Sequence, residues 1–288
     1  MAVGDVQVLF ADVVTRSNFH DAISSNISIN DGMVFNGTNS YAYIPNFDLS
    51  DTKQITFSFW IYPTARTLCC ICEHSANSSA NNAFFVNFES GSAADKVKFA
   101  IRDHESTTNW YNIFKTIKEY PINNWYHVAI TKDRTQEGRE QTKIWVNGTQ
   151  DYAIYSNYYN TLTSYFENNT LYIGTRGNVA YFLYGRLCNF LIYKRILNER
   201  EIKDLYNSGR TSYAVVTDGL YVEYSGRDFE GSSSSPTLIY DTRSITRAMF
   251  QPKIITQVLR ELRTNANTKY LAAEINGKIM FAGIEEAA

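Results

Sequence analysis

The sequence predicts an all-β protein: a two-sheet antiparallel jelly-roll sandwich with a short capping helix and a small α+β extension at its C-terminal end. Three observations carry this. Apolar and polar residues alternate through residues 41–195, the period of strands with one face in a core. Asn147-Gly148 and Asn276-Gly277 each separate two β-prone runs, a pattern that marks two-residue hairpins. Aromatic residues reach 15%, with 21 Tyr, while charged residues make up 19%. That balance suits polar, hydrogen-bonding β surfaces and fits neither a coiled coil nor a disordered chain.

The clearest strand covers residues 55–61. Ile55, Phe57, Phe59 and Ile61 share its inner face, and Thr56, Ser58 and Trp60 the other. Further strands are predicted near residues 83–88, 97–102, 126–131, 142–146, 170–174 and 185–195. Alternation puts Val128, Ile130, Leu187 and Leu191 on the core face with Phe57 and Phe59. Trp60 and Trp125 are also expected in the core. One helix is predicted over residues 199–208. Asn198 is its N-cap, Glu201 completes a capping box, and Leu197 and Ile202 occupy the staple positions. Gly209 ends it.

Composition changes after Gly209, so a boundary is placed there, giving a main domain over 1–209 and an extension over 210–288. Residues 231–236 (GSSSSP) read as a loop. Ile255, Val258, Leu259 and Leu262 follow the i, i+3, i+4, i+7 spacing of an amphipathic helix. A hairpin follows, with Ile279 and Phe281 on its second strand. The extension is too small to bury much core alone. These six apolar residues are therefore read as an assembly surface for another copy of the chain or for a different protein.

Lys+Arg total 27 and Asp+Glu 29, a net charge of −2, which argues against a nucleic-acid partner. There is no run of 18 apolar residues, so no membrane insertion by a helix is expected. The opening residues have no basic segment followed by an apolar run, and no signal peptide is read there. Four Cys, at 69, 70, 72 and 188, do not make a disulfide framework.

Six segments in order resemble the laminin G-like branch of the concanavalin A-like lectin/glucanase superfamily. They are MVFNGTNSYAYIPN (33–46), ITFSFWIYPT (55–64), NNWYHVAITKD (123–133), KIWVNGT (143–149), LYIGTRG (171–177) and the run from Tyr184 to Gly209. The resemblance covers roughly residues 30–209 and implies a concanavalin A-like jelly roll. A segment over 217–244 resembles the opening of such domains but follows the domain here. It is either a degenerate second start or a strand added back to the first sandwich.

Glucanases of this superfamily carry paired acids on one strand, because alternate strand residues face one cleft and hydrolysis needs two carboxylates. No such pair is visible. Glu223, Asp228 and Glu230 are read as loop residues, and Glu199 and Glu201 as helix-cap residues. Cys69, Cys70, Cys72 and His74 offer zinc-type ligands, but no second ligand pair accompanies them, and they are read as small buried groups. Many members of the resembling branch hold calcium at the sandwich rim. Asp103, Asp133 and Asn178, placed in rim loops, are the oxygen ligands the resemblance offers. For sugars, Tyr158 and Tyr159, then Trp110 and Tyr111, combine aromatic faces with neighbouring Asn, Ser and Thr.

The expected function is a non-enzymatic virion structural protein, a capsid decoration, head-fibre or tail-associated subunit, with a lectin-like module for cell-surface glycans. Made in the host cytoplasm, it would partner other virion proteins or copies of itself. The alternatives are a bacterial carbohydrate-binding surface module and, behind it, a glycan hydrolase.

Overall fold

The computed structural model describes residues 20–76, 84–91, 96–104, 111–151, 153–154, 161–227, 229–243, 268–275 and 278–286. The chain divides into two units, Met1–Arg243 and Ser244–Ala288.

The first unit is an antiparallel sandwich. Its small sheet of eight strands is centred on Gln54–Pro63, which lies between Tyr126–Asp133 and Tyr184–Tyr193. Its large sheet of eleven strands runs from Ala153–Ile154 through Tyr111–Lys115, Lys96–His104, Phe84–Ser90, Cys69–Ser75, Asn168–Ile173, Tyr41–Asp48, Ala22–Ser25 and Ser235–Ile239 to Phe229–Ser232, with Tyr120–Pro121 also paired to Lys96–His104. The core fills the space between the sheets. Phe57, Phe59, Val128, Ile130 and Leu187 meet Phe84, Val86, Phe88, Phe99 and Ile101 there, all fully buried. Alternation explains this directly, since each strand sends every second side chain inward.

The predicted hairpin at Asn147-Gly148 is present. Val146 pairs with Thr149, and φ is +52° at Asn147 and +73° at Gly148, as a type I′ turn requires. The helix spans Glu199–Ser208 with both arms of the capping box formed. Leu197 and Ile202 are buried in one cluster with Ala129, Trp145, Leu191, Tyr193 and Leu205. That cluster lies on the outer face of the small sheet, beneath the helix.

Four sequence expectations change. Leu191 belongs to this second cluster and not to the main core. The strand Tyr184–Tyr193 has an irregularity between Cys188 and Leu191, with φ of +43° at Asn189. One extra residue reverses the facing of everything beyond it, so Phe190 and Ile192 take the inward positions. Trp60 and Trp125 are half-buried on the outer face. Trp60 stacks on Tyr206 of the helix at 5.8 Å. Glu223 is in a strand, Leu220–Tyr224, where its Oε1 accepts from the Ala214 amide at 2.9 Å. Glu230 is likewise in a strand, Phe229–Ser232.

The fourth change is the boundary, which follows Arg243 and not Gly209. Leu220–Tyr224 pairs with Tyr184–Tyr193, and Ser235–Ile239 pairs with Ala22–Ser25. Val222, Tyr224 and Ile239 are fully buried in the main core. The segment over 217–244 is thus added back to the first sandwich.

In the second unit Thr268–Ile275 pairs with Lys278–Glu286, from Thr268 opposite Glu286 to Ile275 opposite Lys278. The predicted hairpin is therefore formed, with Ile279 and Phe281 on its second strand. Ile255, Val258, Leu259 and Leu262 lie outside the described residues.

Candidate functional site on the outer face of the large sheet

The inward residues of the large sheet include Ala42, Ile44, Leu171, Ile173, Cys72, Phe84, Val86, Ile101 and Phe114. Their strand neighbours must face away from the core. Register brings seven of those into one row across seven strands: Ile23, Tyr43, Tyr172, Glu73, Phe85, Arg102 and Ile113, each directly opposite the next.

One end of the row is aromatic. Tyr41 and Tyr43 have ring centroids 6.1 Å apart, and Tyr43 and Tyr172 6.4 Å, all tilted by about 30°. Their rings are half-exposed, and no described residue hydrogen-bonds their hydroxyls.

The middle is charged and covered. Glu73 is 2% exposed. Arg176 Nε lies 3.4 Å from its Oε1. Arg176 reaches back over the sheet through a reversal at Gly177 and Asn178, with φ of +56° and +60°, closed by the Arg176 amide donating to the Ala180 carbonyl at 2.9 Å. Its guanidinium stands 5.4 Å from the centroid of Phe85 and 5.8 Å from that of Tyr181. Burial raises the Glu73 carboxyl to about 7, with Arg176 pulling the other way. Arg102 lies 5.8 Å from the same Phe85 ring and donates to Glu89 at 3.1 Å.

The face also carries polar atoms that the fold leaves unused. Asn87 is fully buried, and neither its Oδ1 nor its Nδ2 has a hydrogen-bond partner. The same holds for Arg102 Nε, whereas Ser75 and the Gly177 backbone both hydrogen-bond toward the Glu73 carboxylate. Buried polar groups are normally satisfied, so these atoms are an exception within the sheet, and the accessible part of the face is the line of tyrosine rings. As a hydrolytic site it is poorly arranged. Glu89, the outward carboxylate on the neighbouring strand, lies four residues beyond Phe85, or about 13 Å along the strand. Hydrolysis needs about 5–9.5 Å, and Glu89 is occupied by Arg102 and Lys115.

The residues proposed from sequence fall elsewhere. Tyr111 opens the strand Tyr111–Lys115, paired with His104. Trp110, Tyr158 and Tyr159 lie outside the described residues. Asp103 is not in a rim loop. It sits in Lys96–His104, 1% exposed, with Lys132 Nζ at 3.1 Å and Arg134 Nη2 at 2.6 Å. Two cations already occupy its oxygens. Asp133 ends Tyr126–Asp133, and its Oδ1 accepts from the Thr135 amide and hydroxyl at 2.9 and 2.6 Å. Asn178 forms the Arg176 reversal. Among the described residues these three do not converge, and no group of three or more His, Cys, Asp or Glu is placed to hold a metal. Cys69, Cys70 and Cys72 are buried free thiols, and His74 Nε2 lies 2.9 Å from the Phe47 carbonyl.

Tyr43, Tyr172, Glu73 and Arg176 were not singled out from sequence. The available signal was the outward position of Tyr in YAYI and LYIG, each between two inward apolar residues.

A two-sheet antiparallel sandwich of this topology defines a jelly-roll β protein of the concanavalin A-like class. The family model of the concanavalin A-like lectin/glucanase superfamily, in its laminin G-like form, matches residues 36–203. The chain belongs to that family. Among solved structures it is similar to the native heptameric SAP-like pentraxin from Limulus polyphemus, at 14% identity and a TM-score of 0.51, over 77% of this chain and 92% of that one. It is also similar to the receptor-binding domain of botulinum neurotoxin type G, at 16% identity and a TM-score of 0.46, over 67% of this chain and 47% of that one. No curated protein matches the sequence.

Proposed function

We propose that the chain is a non-enzymatic glycan-binding protein that holds its ligand on the outer face of the large sheet. The observation that carries this is the line of half-exposed rings at Tyr41, Tyr43 and Tyr172, whose hydroxyls make no hydrogen bond with a described residue. The rings of Tyr43 and Tyr172 supply flat apolar faces, and their hydroxyls supply hydrogen bonds that read hydroxyl positions. The wide separation of Glu73 from Glu89 supports binding without hydrolysis.

An open face holds one ligand weakly, so useful avidity needs many linked copies. A virion surface provides them, and we place the protein there. A glycan array probed with the wild type and with the Tyr43→Ala, Tyr172→Ala double variant tests the site. Loss of the bound glycans in the variant is expected, and unchanged binding overturns the assignment. Release of reducing sugar from a bound glycan would refute the non-enzymatic reading. Mass spectrometry of purified particles should find the chain in stoichiometric amounts; its absence would refute the virion setting alone.

A further inference from the structure

The opposite face of the sandwich carries a second arrangement of rings and cations. The helix Glu199–Ser208 covers Trp60, but the sheet continues past the helix end. There Arg186 is directly opposite Tyr62 in the strand ladder, and its guanidinium is 5.5 Å from the Tyr62 ring centroid. Trp125 follows, its ring 5.6 Å from that of Tyr62. Arg210, one residue beyond the helix-ending Gly209, closes the line 4.9 Å from the Trp125 ring. All four side chains are half-exposed.

The two arginines differ. Arg210 is ion-paired with Asp31. Arg186 makes no ion pair and no hydrogen bond with any described residue. A chain with slightly more acids than bases has carboxylates to spare, yet none among the described residues is set against this guanidinium. Its planar fork of donors remains open beside the Tyr62 ring, and such a fork matches a carboxylate or sulfate with two parallel hydrogen bonds.

We propose that Arg186, Tyr62 and Trp125 form a binding site for a sugar ring bearing an anionic substituent, a sulfate ester or a uronate carboxylate. The sugar's C–H face lies on Trp125 and Tyr62, and the anion meets the Arg186 guanidinium. A nucleic acid is not the occupant this surface favours, because it lacks the stripe of bases that tracks a phosphate backbone. The site is on the other sheet from the tyrosine row and does not depend on it.

The test is calorimetric titration of the full chain with a sulfated tetrasaccharide, a galacturonate tetramer and a neutral tetrasaccharide of equal length. One or both anionic probes should bind at least about tenfold more tightly than the neutral one, and which of them does identifies the substituent. That affinity should fall as salt rises. Arg186→Gln should remove most of the preference, Arg186→Lys should keep part of it, and Trp125→Ala should weaken both anionic probes. Unchanged thermal melting of Arg186→Gln shows that the variant is folded; should it melt early, the wild-type charge preference and the Arg186→Lys result still decide. Equal binding of anionic and neutral probes, or full anionic affinity in folded Arg186→Gln, overturns the proposal. Tyr43→Ala with Tyr172→Ala should leave the anionic preference intact. If that pair abolishes it while Arg186→Gln does not, the anionic ligand belongs to the tyrosine row and this proposal fails alone.

Discussion

Replacing Asp103 by Asn should be among the most damaging conservative changes in the protein. Asp103 is 1% exposed, and Lys132 and Arg134 are fully buried beside it. Arg134 Nε and Nη2 donate to the two carboxylate oxygens at 3.3 and 2.6 Å, and Lys132 Nζ lies 3.1 Å from Oδ2. Desolvation, the largest influence, pushes this carboxyl up, but Arg134 and then Lys132 outweigh it and hold it below its ordinary value. Asn keeps the shape and removes the negative charge that faces two buried cations. Removing one partner of such a pair costs about 3–5 kcal/mol, a large share of the 5–15 kcal/mol that holds a typical domain together. At about 2–4 °C per kcal/mol for a unit of this size, melting should fall by about 6–20 °C. Urea unfolding followed by circular dichroism measures it. The double variant Asp103→Asn, Lys132→Met should recover part of the loss, giving a coupling energy of about 1–3 kcal/mol. A cost below 1 kcal/mol for the single variant, or additive losses in the double, would refute the account. The wild-type contribution is present above the ordinary Asp value of 3.8 and is lost as pH falls through the lower folded value.

Truncation after Arg243 should leave a folded sandwich, whereas truncation after Gly209 should not fold. The shorter chain loses Val222, Tyr224 and Ile239, each fully buried and each worth about 1.5–3 kcal/mol; proteolysis and circular dichroism separate the outcomes. Burial lowers His127 to about 3 and His74 and His20 to about 4, while the unfolded chain protonates each near 6.5. The three histidines should therefore make stability fall from pH 6.5 toward pH 4, and Glu73, raised to about 7 and releasing its proton on unfolding, reduces their uptake of about three protons near pH 5 to about two, read from the slope of stability against pH. Asn198→Ala removes the bond its side chain accepts from the Glu201 amide at 3.0 Å and should cost about 1 kcal/mol in the same urea assay.

Local features were the legible ones. The Asn147-Gly148 turn, the Asn198 capping box and the strand alternation around Phe57 and Phe59 are each written within a few consecutive residues. What escaped depends on distant pairing or on a single inserted residue. The irregularity at Asn189 breaks period two in the middle of an otherwise regular strand, so Leu191 reads as core until its partner Ser58 is known. The Tyr43–Tyr172–Glu73 row joins three strands far apart in sequence, and no segment alone contains it. Asp103 was legible in part. It has the same parity as Phe99 and Ile101, and Lys132 and Arg134 have that of Val128 and Ile130. Three charges in phase with core positions signal a buried network, a reading that a loop assignment for Asp103 obscured.

The pairing of Ala22–Ser25 with both Tyr41–Asp48 and Ser235–Ile239 has a consequence for synthesis. One side of the first strand is matched almost at once by a neighbour in sequence. The other side waits until more than 200 further residues have been translated. Through that interval the nascent large sheet presents an unpaired edge, the kind of surface that invites strand pairing with other chains. The long sequence separation also makes this the slow contact of folding. The vulnerable period in the life of this protein is thus on the ribosome, before Ile239 has emerged.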